Sequence, residues 1–226
     1  MKKEWCIPPK SNGAFVAQME AVLDLYEKPY DPRYPLVCMD ETNKQLVSDV
    51  QPPGPPQPGH SARQDYEYVH NGVSNLFICF EPLGSQRHVQ VTARRTAVDW
   101  AHFMREVAER HYPDAKKIVV VMDNLNTHGP GSFYDAFAPA EAKRLAARFE
   151  FHYTPKHGSW LNMAEIELSA LSRMCLDRRI PDKETLAHEV SVWESERNAK
   201  SVTVDWRFTT NDARIKLKKL YPTISV

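Results

Sequence analysis

Two apolar runs end in an aspartate. Val37-Cys38-Met39-Asp40-Glu41-Thr42-Asn43 and Val120-Val121-Met122-Asp123-Asn124-Leu125-Asn126 each carry an asparagine three residues beyond the acid. Carboxylates at the carboxyl ends of buried parallel strands sit where open α/β sheets place their sites. If the two strands are neighbours, like charges meet, which is costly unless a cation neutralises them. Mg²⁺ takes oxygen ligands, usually one or two carboxylates together with waters and phosphate oxygens. A third acid would let such a cluster clamp two metals roughly 3.5–4 Å apart, as many nucleases and polymerases do. Glu165 and Glu167, on a helix opened by Ser159, are the candidates. That helix has a core stripe of Leu161, Ala164, Leu168, Leu171 and Cys175. At about 100° per residue the two glutamates flank opposite edges of it, so only one faces a given cleft, and periodicity does not choose. The plainer alternative is two strand-end aspartates that cap adjacent loops.

The elements that would position these acids follow from patterning. Pro35–Glu41 is a continuous apolar run, the mark of a strand covered on both faces. Tyr66–His70, Asn75–Pro82 and Arg87–Thr92 read as neighbouring strands, with Asn71-Gly72 as a hairpin signal. Thr96 and Asp99 form a capping box for a helix that reaches about His111. Lys116–Asp123 is the most apolar strand, Pro139–Arg148 has helical spacing, Phe149–Thr154 is a further strand, and Ser159–Arg178 reads as one long helix. Lys183 to Lys219 reads as helix with a basic end. Three adjacent strands followed by alternating helix and strand give an α/β fold, a mixed sheet with helices on both faces.

Residues 1–34 are expected to form a linker with one helix (Ala14–Tyr26) that docks on the rest of the chain, 35–180 the main domain, and 181–226 a helical extension. Within the main domain, 51–64 is a Pro-rich inserted loop; QPPGPPQPGH at 51–60 suits neither sheet nor helix interior. Six basic residues between 200 and 219 face two acidic ones, a solvated helix face or a nucleic-acid contact.

Composition narrows the classes. Lys and Arg number 29, as do Asp and Glu, so bulk charge alone would not hold nucleic acid. No apolar run approaches a membrane span, and the start lacks a signal peptide's apolar stretch. Four scattered cysteines without a Cys-x-x-Cys read as reduced core packing in a cytosolic protein. No His or Cys spacing suggests zinc.

The set Met39-Asp40-Glu41, Asp123-Asn124 with His128, and Lys156-His157-Gly158-Ser159-Trp160-Leu161-Asn162-Met163-Ala164-Glu165 resembles the catalytic domain of mariner-superfamily DDE transposases, in particular the bacterial insertion-sequence 630 family. The resemblance spans about Pro35 to Arg178 and implies a ribonuclease H-like fold. It places the last acid at Glu165, so that Asp40, Asp123 and Glu165 would be the catalytic, metal-holding residues. It implies two Mg²⁺ ions, with Mn²⁺ able to substitute, and cleavage of DNA at element ends followed by transfer of the freed 3′-hydroxyl into target DNA. The partners implied are terminal-repeat and target DNA and a second copy of the chain on that DNA, at the nucleoid in a bacterial cytoplasm. Asn124, His128, His157, Trp160 and Asn162 would contact DNA or support the acids. For Trp160 the bland role, an apolar anchor of the helix start, is the leading one, and Glu41 should point to the other face of its strand. The first 34 residues are too short for the paired helix-turn-helix of such enzymes, so the expectation is a catalytic portion. Two other readings are a ribonuclease H-like nuclease without strand transfer and a non-catalytic remnant serving assembly.

Overall fold

The computed structural model describes residues 8, 10–51, 54, 58–59, 66–125 and 128–223. Its elements are α1 (Gly13–Tyr26), β1 (Leu36–Asp49), β2 (Tyr68–Glu81), β3 (Gln86–Thr92), α2 (Ala97–Glu106), β4 (Ile118–Met122), α3 (Pro130–Ala136), α4 (Pro139–Ala146), β5 (Phe149–Tyr153), α5 (Ala164–Leu171), α6 (Lys183–Ala199) and α7 (Thr210–Lys216). One five-stranded sheet runs in the order β3-β2-β1-β4-β5. β1, β2 and β3 pair antiparallel, whereas β4 pairs parallel with both β1 and β5. This is the mixed, helix-flanked sheet that the element order predicts, and it agrees with the ribonuclease H-like fold that the resemblance implies.

Alternation along the strands sorts two cores. Cys38, Leu76, Ile78, Phe80 and Val121 point to a layer built from α1, α5, α6 and α7. Val37, Met39, Phe77, Cys79, Val120 and Met122 point to one built from α2, α3 and α4. Cys38 and Cys79 are buried free thiols within these cores, as their apolar surroundings imply. Burial on both faces explains why the central strands read as unbroken apolar runs. The Thr96–Asp99 capping box is present: the Asp99 amide donates to Thr96 Oγ1 at 3.2 Å and the Thr96 amide to Asp99 Oδ2 at 2.9 Å. Among the described residues no helix is long and apolar enough to cross a membrane.

Three expectations change. Asn71-Gly72 makes no hairpin, and Tyr66–His70 is not a separate strand. β2 runs straight through, with Gln45 opposite Val73 and Val47 opposite His70, so that Leu46 faces both Asn71 and Gly72. This is a β-bulge, and Gly72 (φ 101°) supplies the left-handed backbone that a turn would also have needed. The bulged strand is fastened from outside by the Asn71 amide, which donates to Pro181 O at 2.8 Å. Second, Ser159–Arg178 is not one helix: a 3₁₀ turn over Ser159–Leu161 precedes α5, and a π-helical turn over Ser172–Leu176 follows it. Third, Lys183–Lys219 breaks after α6. Residues 202–208 are extended, with Val204, Trp206 and Phe208 packed on the core and the residues between them exposed. Four of the six basic residues counted in this stretch meet carboxylates: Lys200 with Glu196, Arg207 with Asp205, Arg214 with Glu20 and Lys216 with Asp212. Most of the Pro-rich 51–64 stretch, and Asn126, lie outside the described residues.

Candidate active site

The parallel register brings the two strand-end aspartates side by side. Leu36, Val37 and Cys38 pair with Val119, Val120 and Val121, and the acids lie two residues past the last pair on each strand. Parity along β1 sends Asp40 to the α5 side, where Glu165 stands exposed in the first turn of α5. The two aspartates therefore stand at the carboxyl end of the parallel pair, and Glu165 is near enough for its charge to act on Asp40. Asp40 responds first to its burial and then to the neighbouring acids. Burial, followed by the charges of Glu165, Glu41 and Asp123, pushes its carboxyl up to about 7, while the Glu41 amide, donating to Oδ1 at 2.8 Å, opposes this.

Asn162 ties the third acid to the first. Its buried side-chain NH₂ donates to Met39 O at 2.9 Å and reaches Asp40 Oδ2 at 3.4 Å, and its carbonyl accepts from the Ala164 amide at 3.1 Å. One side chain thus orients Asp40 and opens the helix that carries Glu165. Tyr26 of α1 braces the same segment, its hydroxyl donating to Leu161 O at 2.6 Å.

On the opposite face, Glu41 and His128 form a second group. His128 is buried and stacks on Trp100 with centroids 5.6 Å apart. Its Nδ1 lies 3.3 Å from Asp123 Oδ1 and its Nε2 3.4 Å from Glu41 Oε2. Arg95 approaches Glu41 at 3.9 Å. Burial raises the Glu41 carboxyl above its ordinary range, partly offset by His128 and Arg95. The Glu41, Asp123 and His128 ligand atoms lie within 4.8 Å of one another. His128 Nδ1 is within hydrogen-bond distance of Asp123, which orients that acid, whereas His128 Nε2 and Glu41 Oε2 face each other buried and without a hydrogen-bond partner. Glu41 does point away from Asp40, as alternation requires, and faces the histidine that orients Asp123. The adjacency of Glu41 to Asp40 was visible in the sequence; the loop that lays His128 across it was not.

The remaining candidates divide. Asn124 and His157 are exposed and line, with Asp123, Lys156, Ser159, Leu125, Thr154, Pro155 and Gln18, an open cleft of 530 Å³. Trp160 turns the other way, packing edge-on against Phe208 with centroids 5.8 Å apart. Glu167, the competing glutamate, is fully buried. Arg197 donates to both its oxygens at 2.9 and 2.8 Å, and Arg87 Nε stands 3.0 Å away. It has no access to the cleft.

The group whose ligand atoms meet within 4.8 Å is Glu41, Asp123 and His128, while Asp40 and Glu165 add carboxylates near it whose charges oppose one another; a carboxylate-rich donor set of this kind suits a hard divalent ion.

Comparison with known proteins agrees with this class of fold. Residues 35–187 match the DDE superfamily endonuclease family, and the chain belongs to that family. No curated protein matches it by sequence. Among solved structures it is similar to a pre-cleavage Mos1 transpososome (12% identity, TM-score 0.58, covering 100% of this chain and 68% of that one). It is also similar to the Mos1 strand transfer complex (15%, 0.57, 89% and 61%) and to the Mos1 mariner paired end complex with Mn (14%, 0.54, 89% and 62%). At this identity the likeness is one of fold, and the chain spans about three fifths of the length of the latter two.

Proposed function

We propose that this chain is the catalytic portion of a DNA transposase, which cuts DNA at the ends of an element and joins the freed 3′-hydroxyl to target DNA. The reading is supported above all by Asp40 and Asp123 at the ends of two paired parallel strands, with the charges of Asp123 and Glu165 both acting on Asp40. Asp40 and Asp123 would share two Mg²⁺ or Mn²⁺ ions, with Glu165 completing the set; when bound, these ions supply activation of the attacking oxygen and stabilisation of the leaving one. Asn162 aims Asp40, and His128 holds Asp123 from behind. Asn124 and His157 would meet the DNA across the open cleft. Trp160 would contribute only by anchoring the turn before α5. Residues 35–180 form the catalytic unit in this reading, with 1–34 and 181–226 packing on it. The substrates would be terminal-repeat and target DNA, engaged by two copies of the chain at the nucleoid.

The test is nicking of supercoiled plasmid in Mg²⁺ and Mn²⁺, followed by joining of a terminal-repeat oligonucleotide. Metal-dependent nicking lost in Asp123→Asn, together with joined product, is the expected result. Nicking without joining would leave a ribonuclease H-like nuclease, and nicking equal in wild type and Asp123→Asn would remove the acids from the mechanism.

A further inference from the structure

The turn after β5 puts its residues in an unusual order. The Gly158 amide donates to Pro155 O at 2.8 Å, closing a four-residue turn with Lys156 and His157 at its centre. His157 has φ 67°, the left-handed region that favours glycine or asparagine. The adjacent glycine is spent elsewhere: a Cβ on Gly158 would lie 2.6 Å from Pro155 Cγ. The other left-handed non-glycine residues, Ser85 and Ser201, are small. Only here does a bulky ring occupy such a position among the described residues. Its side chain makes no hydrogen bond or ion pair among the described residues, so internal contacts do not explain why the backbone holds it there. A non-glycine residue kept in a sparsely populated conformation points to a role for its side chain.

The cleft gives that role a chemistry. Asp123 is one of its lining residues. Lys156, His157, Ser159, Asn124 and Gln18 supply a cation and several hydrogen-bond donors. Donors sharing a cleft with Asp123 suit a chain of phosphates, one reacting at that acid and the next held by the donors. We propose that His157 and Lys156 bind the DNA phosphodiester adjacent to the one being cut, with His157 as a substrate-positioning residue. This rests on the transposase reading for the identity of the reacting phosphate, but not for the presence of a phosphate site.

His157→Gly separates the functional role from a structural one, because glycine accepts the left-handed backbone. The full chain is compared with His157→Gly, His157→Asn, Lys156→Ala and Asp123→Asn by thermal melting, by plasmid nicking in Mn²⁺, and by anisotropy of a labelled DNA duplex in Ca²⁺ over a salt series. His157→Gly should melt about 2–4 °C higher than wild type yet nick roughly tenfold more slowly, with DNA bound several-fold more weakly. Lys156→Ala should reduce the slope of log affinity against log salt by about 1. Wild-type nicking and binding retained in both His157 variants would overturn the proposal and leave the transposase reading standing. Weakened binding in the variants, with no nicking by any protein, would keep the phosphate site and remove the nuclease. A lower melting point for His157→Gly, or no DNA binding by wild type, would overturn the proposal.

Discussion

Glu165 and Glu167 are the same residue type, two positions apart on one helix, in opposite electrostatic settings. Glu167 is sealed between Arg87 of β3 and Arg197 of α6, each of which is further anchored: Arg87 Nη2 donates to Val202 O at 2.6 Å, and Arg197 lies over the Trp193 ring. Glu165 stands in the open, near enough for its charge to act on Asp40. One region of the molecule neutralises its charge internally and so locks β3, α5 and α6 together. The other leaves like charges facing each other and leaves their neutralisation to something from solution. A buried carboxylate answered by two guanidiniums serves the fold, whereas a cluster of unanswered carboxylates on a rigid strand end weakens the fold and is suited to a cation. The first also serves the second, because clamping Glu167 fixes the rotation of α5 and hence where Glu165 points.

Removing the unanswered charge should have the largest effect, and on activity alone. Glu165→Gln and Asp123→Asn should slow plasmid nicking by on the order of 10³-fold, about 4 kcal/mol of barrier, while melting stays at or above wild type. A melting point that falls with activity would show that these acids hold the structure instead.

Removing the answered charge should do the reverse. Glu167→Ala leaves Arg87 and Arg197 facing each other in the interior, a change that costs roughly 3–5 kcal/mol and about 10 °C of melting temperature. Glu165→Ala, its control, should stay within about 0.5 kcal/mol of wild type. Chemical denaturation of the pair measures this directly, and equal losses would erase the distinction between the two glutamates.

Asp40 adds a pH signature. Its ordinary value of 3.8 rises to about 7 in the fold, so the native state binds more protons than the unfolded chain between those limits. Stability without divalent cations should therefore fall as pH rises from 4 towards 7. Asp40→Asn removes that penalty: it should match wild type near pH 4 and exceed it by about 2 kcal/mol at pH 8, allowing for solvent screening. Mn²⁺ should stabilise wild type at pH 8 and close the gap. A flat difference across pH would mean that neither burial nor the neighbouring acids raise Asp40.

The two regions also differ in how far the sequence revealed them. The strand-end acids were legible as candidates because two apolar runs each end in an aspartate, but that β1 and β4 are neighbours, with a register that brings the ends carrying Asp40 and Asp123 together, is given only by the strand pairing. The choice between Glu165 and Glu167 was not legible from helical spacing, since it depends on Arg87 and Arg197, which are 80 and 30 residues from Glu167 and meet it only after β3 and α6 have packed. Asn71-Gly72 misled for a related reason: the dipeptide specifies a left-handed backbone, and only the pairing partner decides whether that makes a turn or a bulge. The extended stretch before α7 had a signal that helical reading passed over, the strict alternation of Val202, Val204, Trp206 and Phe208.

Asn162 is where the two settings touch, and it gives the smallest and sharpest effect. Aspartate at this position can still accept from the Ala164 amide, so the start of α5 is kept. It cannot donate to Met39 O, and it adds a carboxylate 3.4 Å from where Asp40 Oδ2 lies. The loss of the donor is independent of charge and should appear at every pH as roughly 1 kcal/mol. The added charge should cost about 1 kcal/mol more at pH 8 than at pH 5, and only in the absence of divalent cations, since a bound ion would answer the new carboxylate as it answers the old ones. Denaturation of Asn162→Asp at both pH values, with EDTA and with Mn²⁺, separates the two costs. A pH-dependent cost that persists in Mn²⁺ would place the new charge outside the reach of the ion, and Asn162 would then belong with Glu167, on the side of the molecule that serves the fold.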